Sequence, residues 1–258
     1  MSITLEPGHR AVVVGAGGTI GAAICRGYAD AGATVLALDI DEASARAIVA
    51  ALPERGHRAM GLDVTNLDAV RPAAAAAAEA GVSSVCYAAG IAPTFDVLRF
   101  DWDAYRQTIA VNLDGALHIA HTFGQVMAAA ARGGSFCFLS SVAGRRGEAG
   151  AAAYCASKFA LLGMVESFAA EAGRHGIRVN AICPGDVDSP MLSRVARAQA
   201  ARRGTSAAAE LNAAAGSAAL RRLVRPAEVA DAAVWLASPH ASAITGAAID
   251  VTAGLGLT

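Results

Sequence analysis

Lysine is almost absent from this sequence: of 21 basic residues one, Lys158, is lysine and every other is arginine. A general bias toward arginine and alanine accounts for the scarcity and makes the single exception informative. Cysteine is sparse as well. The five thiols, at positions 25, 86, 137, 155 and 183, are odd in number and show no C-x-x-C spacing, which excludes a disulfide framework and suits small core residues in a reducing compartment. No apolar run is long enough to cross a bilayer; the alanine tract at 73–78 is bounded by Pro72 and Glu79 and suits an outer helix, so no membrane association is expected. No charged segment followed by an apolar one opens the chain, so no secretion signal is read and a cytoplasmic location is expected. Met1 to His9 reads as a frayed lead-in. A formal net charge of −1 with no basic stripe argues against nucleic acid as a partner. His118 and His121 share a helical spacing but lack a carboxylate cluster beside them, too few donors for a metal centre, and no metal is expected.

What is present alternates between two periods. Strand-like runs fall at 10–15, 33–38, 58–62, 84–88, 134–139, 177–182 and near 247–251, and helical runs at 20–31, 41–55, 66–80, 101–131, 153–174 and 226–237. Alternation of this kind implies an α/β fold, a Rossmann-like doubly wound parallel sheet of about seven strands with helices on both faces. At 258 residues, with no linker between strands, the chain suits a single domain. The interval from Asp188 to Arg222 breaks the rhythm, and a long excursion inside a compact domain is more often functional than idle.

The lone lysine sits four residues after a tyrosine, in Tyr154-Cys155-Ala156-Ser157-Lys158. On a helix these two side chains share a face. A free phenol titrates near a pKa of about 10; a neighbouring cation favours the phenolate, and a tyrosine lowered in this way can take a proton from an alcohol or return one to a ketone. Arginine does not substitute, because it is a planar fork that keeps its proton, whereas lysine is a compact ammonium whose pKa responds to its surroundings. Thirteen residues upstream of Tyr154, the strand-like run 135–139 ends in Ser140-Ser141, where a hydroxyl at the carboxyl end of a parallel strand faces the ligand crevice.

Near the start, the apolar run ending at Val14 leads into Gly15-Ala16-Gly17-Gly18-Thr19-Ile20-Gly21 and then a helical stretch. Glycines here permit a tight turn and let backbone N–H groups approach a pyrophosphate. Asp39 ends the second strand, eighteen residues after Gly21, where an acid accepts hydrogen bonds from both ribose hydroxyls. A 2′-phosphate would meet like charge there, and neither the glycine loop nor Ile40 supplies a cation, so NAD is expected over NADP.

These motifs, in this order, resemble the short-chain dehydrogenase/reductase family in its compact form, over about Arg10 to Gly254. The resemblance implies a catalytic set of Asn112, Ser141, Tyr154 and Lys158: Tyr154 as acid/base, Ser141 polarising the substrate oxygen, Lys158 holding the nicotinamide ribose, and Asn112 positioning a water in the proton relay. It implies cofactor contacts from Gly15, Gly17, Thr19, Ile20, Gly21, Asp39, Asp63, Val64, Ala88, Gly90, Tyr154, Lys158, Pro184, Val187 and Ser189, and a substrate lid at about 188–222. It also implies a homotetramer assembled through the helices at 101–131 and 153–174, which are rich in small residues. The chain departs from the pattern in three places. Val14 precedes the glycine motif where the family has Thr, and Thr19 stands where it has Gly. Tyr87-Ala88-Ala89-Gly90 replaces Asn-Asn-Ala-Gly, so the bracing hydrogen bonds must come from elsewhere. Val251-Thr252-Ala253-Gly254 replaces Val-Asp-Gly-Gly.

The expected activity is NAD-linked interconversion of a secondary alcohol and a ketone. Val142 to Gly150, Pro93 to Val97 and Asp186 to Leu192 are expected to line the substrate pocket. Their acids, Glu148, Asp186 and Asp188, lean toward a small polar alcohol, a polyol, sugar or hydroxy acid; Arg145 and Arg146 are more simply solvated than anion-binding. A 3-oxoacyl thioester reductase and a broad ketone reductase stand as alternatives within the enzyme class, and a non-catalytic dinucleotide-binding regulator outside it.

Overall fold

Strands buried on both faces read as continuous apolar runs, and a sheet of seven strands, buried except at its two edge strands, builds the centre of the molecule. The computed structural model describes residues 3–256. In it β1 (Arg10–Val14), β2 (Thr34–Asp39), β3 (Arg58–Gly61), β4 (Ser84–Tyr87), β5 (Gly134–Leu139), β6 (Ile177–Pro184) and β7 (Ala248–Val251) form one parallel sheet in the order β3-β2-β1-β4-β5-β6-β7. Successive side chains alternate between its faces. Val13, Val35 and Cys137 face a layer built by Ile24 and Tyr28 of α1 (Thr19–Asp30) and Val229 and Val234 of α9 (Pro226–Ala237). Val12, Phe136 and Phe138 face the opposite layer, built by Val70 of α3 (Leu67–Ala80), Phe123 of α5 (Gly115–Ala130) and Leu161 of α6 (Ala152–Ala172).

Local signals set most helix ends. Asp41 caps α2 (Glu42–Ala50) by accepting from the N–H groups of Ala43 and Ser44, and Asn66 caps α3 in the same way. The segment that breaks the alternation folds into two helices, α7 (Pro190–Arg203) and α8 (Ala207–Ser217), joined at Gly204, whose φ of 70° is left-handed. Among the described residues no helix is long and apolar enough to cross a membrane.

Three local expectations are corrected. The lead-in is docked rather than frayed: the Leu5 N–H donates to the Ala31 carbonyl at 2.9 Å, and Leu5 and His9 are buried; positions 1 and 2 lie outside the described residues. The helix expected over 41–55 stops at Ala50, short of Pro53. The helix expected over 101–131 is interrupted: α4 (Trp102–Ile109) and α5 are joined by a π turn at Ala110–Asp114. Because β2 and β4 flank β1 on opposite sides, the crossovers diverge at its carboxyl end and leave a crevice there, the place where open α/β sheets bind ligands.

Candidate active site

The β1–α1 loop closes one side of this crevice. A Cβ on Gly15 would come within 2.5 Å of the Ala89 nitrogen, and one on Gly21 within 2.0 Å of the Gly15 carbonyl oxygen, so no larger residue fits at either place. Helix α1 begins at Thr19 with no side-chain cap and no acid in its first turn. Its N–H groups and dipole are therefore open to an anion, and the cradle fits a pyrophosphate. At the end of β2 one Asp39 oxygen accepts from the Gly17 N–H at 2.8 Å and the other from the Asp41 N–H at 3.0 Å. A carboxylate has about four lone-pair sites, so both oxygens keep accepting capacity for hydroxyl groups. Ile40 beside it is 76% exposed, and Arg46 is turned onto Glu42. After β3, Asp63 accepts from the Thr65 N–H and hydroxyl, and Val64 is buried against Gly115.

At the carboxyl ends of β4 and β5 the four candidate catalytic side chains come together. Lys158 is 3% exposed and donates from Nζ to the Leu139 carbonyl at 2.7 Å, with Nζ 5.6 Å from the centre of the Tyr154 ring. Ser141 opens a short 3₁₀ turn by accepting from the Ala143 N–H, and it lines the same cavity as Tyr154. Asn112 is fully buried in the π turn. Its Oδ1 accepts from the Ile91 N–H at 2.9 Å, and its Nδ2 donates to the Ile91 carbonyl at 2.9 Å and to Ser157 Oγ at 3.0 Å. Gly90 lies between Asn112 and Lys158, where a Cβ would stand 3.4 Å from Asn112 Oδ1 and 3.5 Å from Lys158 Nζ.

The electrostatics overturn one expectation. Burial pushes the Lys158 ammonium down to about 8. Burial also pushes the Tyr154 phenol up to about 12, with the Ser141 hydroxyl pulling it down and the Glu148 carboxylate pushing it further up. The protein's own groups therefore raise the phenol rather than lower it, because desolvation outweighs the pull of the Ser141 hydroxyl and the Glu148 charge adds to it.

Ile20, Ala88, Gly90, Pro184, Val187 and Ser189 line the same cavity as Ser141, Tyr154 and Lys158. The cavity is also lined by Thr94, Val142, Glu148 and Asp186, and by Met191, Leu192, Val195 and Gln199 of α7. Burial raises both Glu148 and Asp186; the Asp186 charge adds to the rise at Glu148, and Arg146 opposes it at both. Arg145 is turned away from the cavity, donating to Asp250 at 3.1 Å and to the Ala248 carbonyl at 2.6 Å. Among the described residues no cluster of His, Cys, Asp or Glu could hold a metal ion.

Reading the sequence missed what braces β4. The Tyr87 phenol, fully buried, donates to the Val111 carbonyl, and Gly115 makes room for it: a Cβ there would lie 2.6 Å from the phenol oxygen. The available signal was Gly115 itself, one of two glycines, with Gly124, inside the helical pattern of 101–131.

A family model described as enoyl-(acyl carrier protein) reductase matches residues 15–256. The (3R)-3-hydroxyacyl-CoA dehydrogenase of Canis lupus familiaris is 34% identical over 257 residues, covering 95% of each chain. The galactitol 2-dehydrogenase (L-tagatose-forming) of Cereibacter sphaeroides is 36% identical over 255 residues, covering 96% of this chain and 94% of its own. Among solved structures, a single-substitution variant of actinorhodin polyketide ketoreductase with NADPH superposes with a TM-score of 0.91 at 27% identity, over 97% of this chain and 98% of that one.

Proposed function

The chain belongs to the short-chain dehydrogenase/reductase family and has the sequence of an oxidoreductase acting on alcohols and ketones, and from that membership we propose that it is an NAD-dependent dehydrogenase for a small polar secondary alcohol. The observation that carries the proposal is the buried Lys158 beside Tyr154, with Ser141 in the same cavity and Asn112 across Gly90. A protein that only bound a dinucleotide would have no need of a proton-transferring set.

NAD, when bound, supplies the hydride acceptor. The residues proposed to hold it are Gly15, Gly17, Thr19, Ile20 and Gly21 at the pyrophosphate, Asp39 at the adenosine ribose, and Asp63 and Val64 at the adenine. Ala88, Gly90, Lys158, Pro184, Val187 and Ser189 belong to the nicotinamide half. Asp39 supports NAD because a 2′-phosphate would face its carboxylate with Ile40, not a cation, beside it. In oxidation Ser141 fixes the alcohol oxygen, Tyr154 accepts its proton, and Lys158 and Asn112 pass charge and proton onward; in reduction the transfers run backwards. Helices α7 and α8 are proposed as a lid, since α7 lines the cavity from Met191 to Gln199.

Glu148, Asp186, Thr94 and Gln199 offer partners to several hydroxyls, which supports a polyol or sugar. With Arg145 engaged by Asp250, support for a carboxylate-bearing hydroxy acid is weaker. Thioester reduction is the second reading, favoured by the hydroxyacyl-CoA relative. The test is initial-rate assay with NAD and NADP against polyols, hydroxy acids, hydroxyacyl thioesters and sterols. Turnover of a polyol or sugar with NAD is expected; thioester turnover alone would select the second reading, and no turnover with measurable NAD binding would leave a dinucleotide-binding regulator.

A further inference from the structure

The helix that carries Asn112 contains one irregularity, and a side chain stands against it. In an α-helix the Gly115 N–H would bond the Val111 carbonyl, four residues back; here it bonds the Ala110 carbonyl, five back. The Val111 carbonyl thus loses the Gly115 donor, and the Tyr87 phenol donates to it instead. Tyr87 comes from the end of β4, is fully buried, and is anchored by ring contact with Phe138, the centroids 6.2 Å apart. Gly115 is needed because a Cβ would meet the phenol oxygen at 2.6 Å and Val64 Cγ2 at 2.7 Å. Glycine inside a helix costs about 1 kcal/mol relative to alanine, so the pairing of a tyrosine with a helical glycine is maintained against local propensity.

One residue inserted into a helical turn rotates the segments on either side by about 100° relative to each other. Asn112 sits within that turn, and the turn sets which way its amide faces. With the turn in place the amide spans Ile91 and Ser157 and lies across Gly90 from Lys158. We infer that Tyr87, seated by Gly115, is a positioning residue: its phenol holds the π turn open and so fixes Asn112 for the proton relay. Its catalytic part rests on the oxidoreductase reading above; its structural part does not. The same contact supplies the bracing of β4 in this chain.

The decisive variant is Tyr87→Phe, which keeps the ring and removes only the hydroxyl. It is expected to lower kcat about tenfold, the equivalent of one lost hydrogen bond of about 1.4 kcal/mol felt in the transition state. The KM for substrate and the Kd for NAD should stay unchanged, and the rising limb of the kcat–pH profile should move to higher pH. Gly115→Ala should reproduce these kinetics with added loss of stability. The double variant Tyr87→Phe/Gly115→Ala should regain part of that stability, since the clashing oxygen is gone, but not kcat. A melting-temperature change in Tyr87→Phe with kcat and pH profile unmoved would reduce the residue to packing and overturn the inference. The crystal structure of Tyr87→Phe decides the structural part even if no substrate is found. Reversion of 110–114 to α-helix, with Asn112 detached from Ile91 and Ser157, supports it; an intact π turn refutes it.

Discussion

On the proposed mechanism, removing a single oxygen from Tyr154 should separate binding from chemistry, because the ring that lines the cavity remains. Tyr154→Phe is expected to lower kcat by roughly 10²–10⁴-fold, the range of general acid–base contributions, with the Kd for NAD unchanged. Lys158→Arg should fail comparably although it keeps the charge: the site is 3% exposed and shaped to one ammonium donating to Leu139, and a planar guanidinium does not fit it. Near-normal turnover by either variant would remove Tyr154 and Lys158 from the mechanism. The pair's pKa values set the pH dependence. With the phenol pushed up to about 12 and the ammonium down to about 8, the deprotonated form that accepts the alcohol proton grows with pH throughout the neutral range. The kcat/KM for alcohol oxidation should therefore keep climbing above pH 8; because this parameter reports the free enzyme, a plateau below pH 7 would show that burial does not govern the pair.

At the scale of the element, the end of β2 is where the proposed choice of NAD over NADP is made. Asp39 is fixed from two sides by backbone donors of neighbouring segments, Gly17 from the β1–α1 loop and Asp41 from the start of α2, so the carboxylate is held before any ligand arrives. NAD should be preferred over NADP by at least about tenfold in kcat/KM, the ratio that about 1.4 kcal/mol of discrimination gives. Asp39→Ala combined with Ile40→Arg should reverse the order, and a wild-type preference for NADPH would refute this role of Asp39. This element was legible in the sequence, as was most of the sheet, because buried parallel strands are continuous apolar runs and their helices carry caps such as Asp41 and Asn66. The π turn was not. One extra residue in a turn leaves the apolar pattern of 101–131 nearly unchanged, and only a tertiary partner, Tyr87, distinguishes it from a regular helix. Arg145 was ambiguous for a related reason: its partner Asp250 is more than a hundred residues away, beyond any local pattern. The raised phenol was misread because spacing reports which groups are neighbours, while desolvation depends on the whole fold around them.

Across the whole molecule, two properties follow from what the fold buries and what it leaves uncovered. His9 is buried between β4 and α1, sharing a hydrogen bond with Ser84 Oγ at 2.8 Å and stacking on Tyr28, and burial pushes it down to about 4. A folded pKa below the unfolded value means that the unfolded chain binds the proton first. The stability is complete above about pH 6.5 and is lost as pH falls toward 4, by on the order of 3 kcal/mol. Urea titrations from pH 7 to 4 should show that loss, and His9→Gln should flatten it; an equal slope in the variant would shift the cause to other groups. The second property is assembly. Small residues on α6 could serve only to pack it on its own sheet, yet Ala160 and Gly163 are exposed, and nothing lies within 4 Å of where a Gly163 Cβ would stand. Beside them Phe159 is 46% and Leu117 of α5 is 44% exposed, and a groove between the two helices is lined by Ala120, Gly124, Met164 and Phe168. An outward face of small and apolar side chains on two adjacent helices lets a second helix pair approach closely, and a self-complementary face of this kind closes by two-fold symmetry. The family resemblance implies a homotetramer, in which this face supplies one of the two-fold interfaces, and light scattering at micromolar concentration should give four times the 25.8 kDa of the chain. Gly163→Glu should halve the assembly by breaking this face, and a wild-type mass equal to one chain would show that the small residues serve no interface.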